Sequence, residues 1–208
     1  MRSKFKLYDV VKRVIDVVVS GVGLVISAPI QLVIALIVLK THGRPILFRQ
    51  SRPGKDGVIF EMVKFRTMLE PDATHITDED RLTKIGRFLR ATSLDELPSL
   101  WNVFKGDMSL VGPRPLLVSY LELYSAEQAR RHEVRPGITG LAQVKGRNSI
   151  SWGERFALDV KYVENRSLLL DFKVLVWTVK TVIARNGISH EGHVTMPPFD
   201  EQVQRKGI

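Results

Sequence analysis

Between Val14 and Leu39 the chain is almost wholly apolar, broken by Asp16, Ser20, Ser27, Pro29 and Gln31. About 20 such residues suffice to cross a bilayer as a helix, so the run dictates a membrane-associated fold. A signal peptide fits poorly, because the run is too long and no small-x-small cleavage site closes it. Two features oppose a straight crossing. Pro29 lies mid-run, where it removes a backbone hydrogen bond and clashes with the preceding turn. Cations flank both ends, Lys12 and Arg13 before and Lys40, Arg44, Arg49 and Arg52 after, and such flanks stay on the cytoplasmic side. A helix that enters, kinks near Pro29 and returns satisfies both. The expected organisation is a basic leader and re-entrant helix over residues 1–40, then a compact cytosolic domain over 41–208. Asp16 follows Lys12 and Arg13 closely enough to pair with Arg13, or to lie in the headgroup zone.

The rest of the chain reads as α+β, mostly helical. Two apolar runs, Pro45–Phe48 and Val58–Phe65, flank R-Q-S-R-P-G-K-D-G, which predicts a small β-hairpin across Arg52–Gly57. On the second strand Lys64 and Arg66 stand two apart and share a face; two cations there suit a diphosphate. Residues 70–81 are polar and read as a surface loop. Residues 81–91 predict a basic amphipathic helix suited to a membrane interface. Further helices are expected over 116–131, 151–165 and 167–185. The last is too charged to span comfortably and reads as core or interfacial, with Gly187 as its C-cap. His190 and His193 form H-E-G-H, which lacks zincin spacing.

The net charge of +9 suits a polyanionic partner such as nucleic acid, an anionic membrane or a phosphorylated substrate. No nucleic-acid-binding motif is present, which favours the last two. The absence of cysteine excludes disulfides, thiol catalysis and Cys-based metal sites.

Chemistry concentrates in residues 90–115, R-A-T-S-L-D-E-L-P-S-L-W-N-V-F-K-G-D-M-S-L-V-G-P-R-P. Ser93–Glu96 has the capping-box pattern, although Pro98 would suit a helix beginning there instead. Either way Asp95 and Glu96 sit at or just before a helix N-terminus. That position predicts an ionised, nucleophilic carboxylate, or simply a pair of capping residues. Pro113 and Pro115 hold Arg114 rigidly, which suits bidentate phosphate binding; a solvated Arg in a Pro-rich turn has the same pattern. Asp107 is placed to support the site. Downstream, Arg135 and Arg147 lie in a glycine-rich segment that allows close backbone approach to a ligand.

The run D-E-L-P-x-L-W-N-V-x-K-G-D-M-S-L-V-G-P-R-P resembles the core motif of the bacterial sugar transferases, the monotopic phosphoglycosyl transferases. K-F-R-T-M matches a second motif of that family and R-P-G-I-T-G-x-A-Q-V-x-G-R-N a third, and the resemblance covers roughly Lys12 to Thr195. It implies the re-entrant membrane helix on the cytoplasmic face of a bacterial inner membrane. It also implies transfer of a sugar 1-phosphate from a UDP-sugar to polyprenol phosphate with release of UMP, the first membrane step of glycoconjugate assembly.

Within the family the chain is similar to the small single-domain, PglC-like type that starts N-linked or O-linked glycan assembly with phospho-N,N′-diacetylbacillosamine. On this basis Asp95 is expected to attack the β-phosphate and form a phosphosugar–aspartyl intermediate. Glu96 is expected as a Mg²⁺ ligand or as the base that orients the acceptor. Lys64, Arg66, Arg90, Arg114 and Arg147 are expected to bind phosphate, helped by Mg²⁺ on oxygen ligands of Asp95 and Glu96. Two alternatives are direct transfer with both carboxylates as metal ligands, and a non-enzymatic anionic-membrane adaptor. No oligomeric state is implied.

Overall fold

The computed structural model describes residues 6–72, 76–146, 150–183 and Phe199. Arg147, Gly187, His190 and His193 lie outside them. Helix α1 (Lys6–His42) is one element of 37 residues with Pro29 inside it, about 55 Å if straight at 1.5 Å per residue. It is long and apolar enough to cross a membrane. Val14, Val18, Val22, Val25, Ile30 and Val33 all face outward.

Both ends of α1 rest on the same body. At its start Tyr8 and Lys12 donate to the Asp171 carboxylate at 2.8 and 2.7 Å. Arg13 donates to the carbonyls of Val103 and Phe104 at 2.7 and 2.8 Å. Asp16 does not pair with Arg13. It is buried and accepts the Leu110 N–H at 3.1 Å. At the far end Ile34 and Val38 pack with Phe65 and Leu89, and the His42 ring meets the Thr83 hydroxyl at 3.0 Å. Between these anchors, the stretch around Pro29 has no buried residue from 25 to 33. Ser27 donates to the Gly23 carbonyl there at 2.5 Å and accepts from Gln31 at 2.8 Å. A hydroxyl that takes the i−4 carbonyl bends a helix, and it acts just ahead of the missing proline N–H.

The hairpin forms as expected. Strands β1 (Leu47–Pro53) and β2 (Ile59–Phe65) pair antiparallel, from Leu47 opposite Phe65 to Pro53 opposite Ile59. Within the stretch expected as a loop, Thr77 and Asp80 form a capping box that starts the short helix α2 (Asp78–Arg81). Helix α3 (Lys84–Thr92) follows, its N-terminus capped by the Thr83 hydroxyl. Gly86 lets α3 press against the Thr67 carbonyl, where any Cβ would overlap it.

The Ser93–Glu96 capping box does not form. Ser93 instead ends α3 with a left-handed backbone, φ 58°, and makes no side-chain cap. Leu94–Ser99 is a 3₁₀ stretch containing Pro98, followed by helix α4 (Leu100–Lys105), which closes on left-handed Gly106.

Strands β3 (Ser109–Val111) and β4 (Gly137–Thr139) form a parallel pair. The single helix expected over 116–131 is broken. Val118–Leu123 is 3₁₀, Ser125 caps a new turn, α5 (Ala126–Ala129), and Arg130–Glu133 is again 3₁₀. Ser125 and Gln128 bond each other's backbone N–H, and that reciprocal cap restarts the helix where the periodicity suggested continuity. Helices α6 (Leu141–Lys145), α7 (Trp152–Asn165) and α8 (Leu168–Ile183) complete the described chain.

Val111, Leu141, Tyr162 and Val174 join β3, α6, α7 and α8 in one core, and Met62, Val103 and Met108 join the hairpin to α4. On α8, Leu169, Phe172, Val176 and Val179 face outward in a stripe, at the spacing of an amphipathic helix.

Candidate active site

Side chains of the 90–115 segment itself tie it to strand β2. Ser99 donates to the Val63 carbonyl at 2.7 Å. The Asn102 side-chain oxygen accepts the Val63 N–H at 3.1 Å, while its amide donates to the Glu61 carbonyl at 2.7 Å and to Asp107 at 3.1 Å. Asn102 is fully buried, where each unpaired polar group is costly, so its two-sided pairing locks β2 to α4. Asp107, expected to support the site, accepts from the Asn102 amide and forms an ion pair with Lys105 at 3.0 Å. With β2 fixed in this way, Lys64 lies within electrostatic reach of Asp95 and Glu96.

Five of the expected residues converge. Asp95 is 5% exposed and makes no hydrogen bond among the described residues. The charges acting on it are Glu96, Lys64, Arg114 and Arg90. Arg114 donates to Glu96 at 2.7 Å, and that carboxylate holds the guanidinium above its ordinary pKa. Lys64 lies 5.3 Å from the centre of the Phe48 ring. Burial lowers its ammonium pKa, as does the nearby Arg114, against the pull of both carboxylates. Arg90 donates to the Thr67 hydroxyl at 3.0 Å and to the Met68 sulfur at 2.9 Å.

The Asp95 carboxyl lies above its ordinary pKa range. Burial, then the adjacent Glu96 charge, raise its carboxyl from 3.8 to about 6, against the opposing pull of Lys64, Arg114 and Arg90. A helix N-terminus does not depress it, because α4 begins only at Leu100 and dipole effects fade beyond the first turn.

Arg66 is not brought to this cluster. Strand β2 ends at Phe65, so the two-residue spacing no longer keeps Arg66 on the face of Lys64. Arg66 is buried and donates to the Arg44 carbonyl at 3.3 Å and to Glu70 at 2.9 Å. Arg135 also turns elsewhere, donating to the Gly106 carbonyl at 2.8 Å in a cleft lined by Lys12 and Arg13.

The sequence reading missed what holds Arg114. Its carbonyl accepts from Arg131 at 2.7 Å. Arg131 is in turn paired with Asp159 at 2.7 Å, and both are buried. Arg131 also stacks near the rings of Tyr124 and Phe156, at 5.8 and 5.7 Å. The available signal was a lone Asp among the apolar residues of α7; its partner, 28 residues away, had no local signature.

Among the described residues no cluster of three or more His, Asp or Glu could hold a metal. Mg²⁺ is commonly bound through one or two carboxylates together with substrate phosphates. The adjacent pair fits that mode, since Asp95 is free of hydrogen bonds and only one Glu96 oxygen is engaged.

Comparison with known proteins gives the family. The sequence model of a family described as bacterial sugar transferase matches residues 7–185. A Bacillus subtilis protein named uncharacterized sugar transferase EpsL is 49% identical over 193 residues, covering 91% of this chain and 96% of its own length. A Caulobacter vibrioides UDP-glucose:undecaprenyl-phosphate glucose-1-phosphate transferase is 42% identical over 188 residues, covering 84% of this chain and 70% of its own length. A Streptococcus agalactiae galactosyl transferase, CpsE, is 40% identical over 204 residues, covering 88% of this chain and 45% of its own length.

Proposed function

The chain belongs to the bacterial sugar transferase family, and on that premise we propose that it transfers a sugar 1-phosphate from a UDP-sugar to undecaprenyl phosphate, releasing UMP. The observation that carries this reading is Asp95, a buried carboxylate with no hydrogen bond among the described residues, acted on by Lys64, Arg90 and Arg114. A diphosphate and a lipid phosphate repel each other, and these three cations offset that repulsion at one place.

An Asp95 oxygen forms a bond to the β-phosphorus as the bond from that phosphorus to the bridging oxygen breaks, and UMP leaves with the electron pair. An oxygen of the polyprenol phosphate then attacks the same phosphorus, and the Asp95 carboxylate is regenerated. With its pKa near 6, Asp95 is mostly ionised at neutral pH. Glu96 fixes the Arg114 guanidinium against the reacting phosphate. When bound with the diphosphate, Mg²⁺ on Asp95 and Glu96 would neutralise phosphate charge.

Helix α1 is proposed to be re-entrant in the cytoplasmic leaflet of the inner membrane. Both of its ends dock on one body, while the stretch around Pro29 presents only surface. The chain contains no cysteine, so Lys6→Cys and Lys40→Cys can each be labelled alone. Labelling of both from the cytoplasmic side is expected; protection of either there rejects re-entry.

For the sugar there are two leads. Similarity over 151–165 and the tail points to an N-acetylated amino sugar such as N,N′-diacetylbacillosamine, whereas two of the relatives are named for glucose and galactose. Intact-protein mass after incubation with a panel of these UDP-sugars and Mg²⁺, without lipid, tests both the mechanism and the sugar. The expected result is a gain of one phosphosugar, absent in Asp95→Asn. Turnover with lipid but no adduct without it would replace the covalent route by direct transfer. Anionic-vesicle binding with no UMP release from any sugar would leave the adaptor reading.

A further inference from the structure

Arg52, at the end of β1, has no counter-charge among the described residues. It donates to the Gln50 side-chain oxygen at 2.5 Å and makes a long contact to the Pro115 carbonyl at 3.4 Å, both neutral acceptors. Its Nε is buried without a partner, and among the described residues no carboxylate lies within ion-pair distance. Its charged neighbour is Arg114, whose own ion pair goes to Glu96. Burial and the Arg114 charge together bring Arg52 down to about 10. The other guanidiniums behind Arg114 are answered differently. Arg131 is paired with Asp159, and Arg155 feels the same carboxylate. A half-buried cation beside another cation is costly unless an anion joins them.

Its position tells which anion. Arg114 pairs with Glu96, the neighbour of Asp95, at 2.7 Å, whereas Arg52 reaches the carbonyl of Pro115, the residue after Arg114, at 3.4 Å. Moving outward from the nucleophile, Arg114 therefore comes first and Arg52 beyond it. Lys64, Arg90 and Arg114 act on the Asp95–Glu96 pair, three cations against two carboxylates, and Arg52 adds a second uncompensated positive charge beside Arg114. A sugar-nucleotide diphosphate carries two negative ones.

We propose that Arg52 binds the nucleotide-side phosphate of the UDP-sugar, with Arg114 next to it toward the phosphate that Asp95 attacks. The proposal rests on the UDP-sugar reading above. As the bond to the bridging oxygen breaks, negative charge grows on the departing nucleotide phosphate, and a guanidinium fork stabilises it there. Arg52 thereby also marks the side of the site from which UMP leaves.

The test is UMP and uridine binding by calorimetry on the full-length protein, comparing wild type with Arg52→Ala, Arg52→Lys and the exposed control Arg49→Ala. Arg52→Ala is expected to weaken UMP binding roughly 10- to 100-fold, the range of a charge-assisted hydrogen bond, while uridine affinity stays unchanged. Arg52→Lys should fall between, and Arg49→Ala should match wild type. The KM for the UDP-sugar should rise in Arg52→Ala while that for polyprenol phosphate does not. Wild-type-like UMP binding in Arg52→Ala overturns the inference alone. Equal loss for UMP and uridine assigns Arg52 a structural role and also overturns it. If Arg52→Ala does not fold, wild-type UMP affinity in Arg52→Lys overturns it, because a lysine cannot reproduce the fork. Wild type that binds no UMP overturns the UDP-sugar reading with it.

Discussion

Replacing Asp95 with Asn should stabilise the protein while abolishing turnover. In the folded chain the carboxyl is shifted from 3.8 to about 6, chiefly because it is buried. Below about pH 4 it is protonated in both the folded and unfolded chain and contributes nothing. Above about pH 6 it is ionised in both, and the native state bears the full penalty of a buried charge, about 3 kcal/mol at 1.4 kcal/mol per pH unit. Asn has the same shape and no charge to bury. In EDTA-containing detergent buffer at about pH 7.5, Asp95→Asn should therefore unfold roughly 6–12 °C higher than wild type, taking about 2–4 °C per kcal/mol for a chain of this size. Repeated at about pH 4, the gain should largely vanish as the wild-type carboxyl takes up its proton. Differential scanning fluorimetry at both pH values reads this directly. An unchanged or lower melting temperature at pH 7.5 would mean that Lys64, Arg90 and Arg114 outweigh burial. A gain independent of pH would show that it does not come from this ionisation. Either result refutes the reasoning.

The same carboxyl predicts that the UMP-releasing half-reaction rises with pH through about 6 and then levels, measurable by stopped-flow UMP detection; a flat profile from about pH 5 to 8 would count against Asp95 as the group that must ionise. Asp159→Asn should cost about 3–5 kcal/mol in chemical denaturation, because it strands the buried Arg131 charge. Replacing Arg131 and Asp159 together by Met and Leu should restore most of that stability but not turnover, because the Arg114 carbonyl stays unheld. Asn102→Ala should lose about 2–3 kcal/mol by leaving the buried Val63 N–H and its neighbours unpaired; a loss below about 0.5 kcal/mol by the same measurement would show that β2 and α4 are not locked there.

Much of this molecule was legible without coordinates, for reasons that are local. The apolar length of 14–39 determined one long helix, apolar enough to cross a membrane, with a proline inside it. The turn chemistry between two short apolar runs determined the β1–β2 hairpin, and the helix expected over 151–165 is α7. Asp95, Glu96 and Arg114 stood out because adjacent carboxylates, and an Arg held between two prolines, form an order of residues that a plain core segment does not need. Local signals failed where chain geometry changed within a few residues. Ser93 reads as an N-cap but ends α3, and 116–131 reads as one helix but is restarted by Ser125.

What only the tertiary structure decided is which of the candidate charges meet. Lys64 joins Asp95 and Arg66 does not, because β2 ends between them and packing of Asn102 fixes one side and not the other. Asp16, legible as a headgroup or Arg13 partner, is instead sealed against β3. The buried Arg131–Asp159 pair behind Arg114 and the uncompensated Arg52 beside it join residues far apart in the chain. The raised carboxyl of Asp95 follows from the same cause. Desolvation and long-range Coulomb interaction depend on what is packed around a group in three dimensions, and residue spacing along the chain carries no record of that.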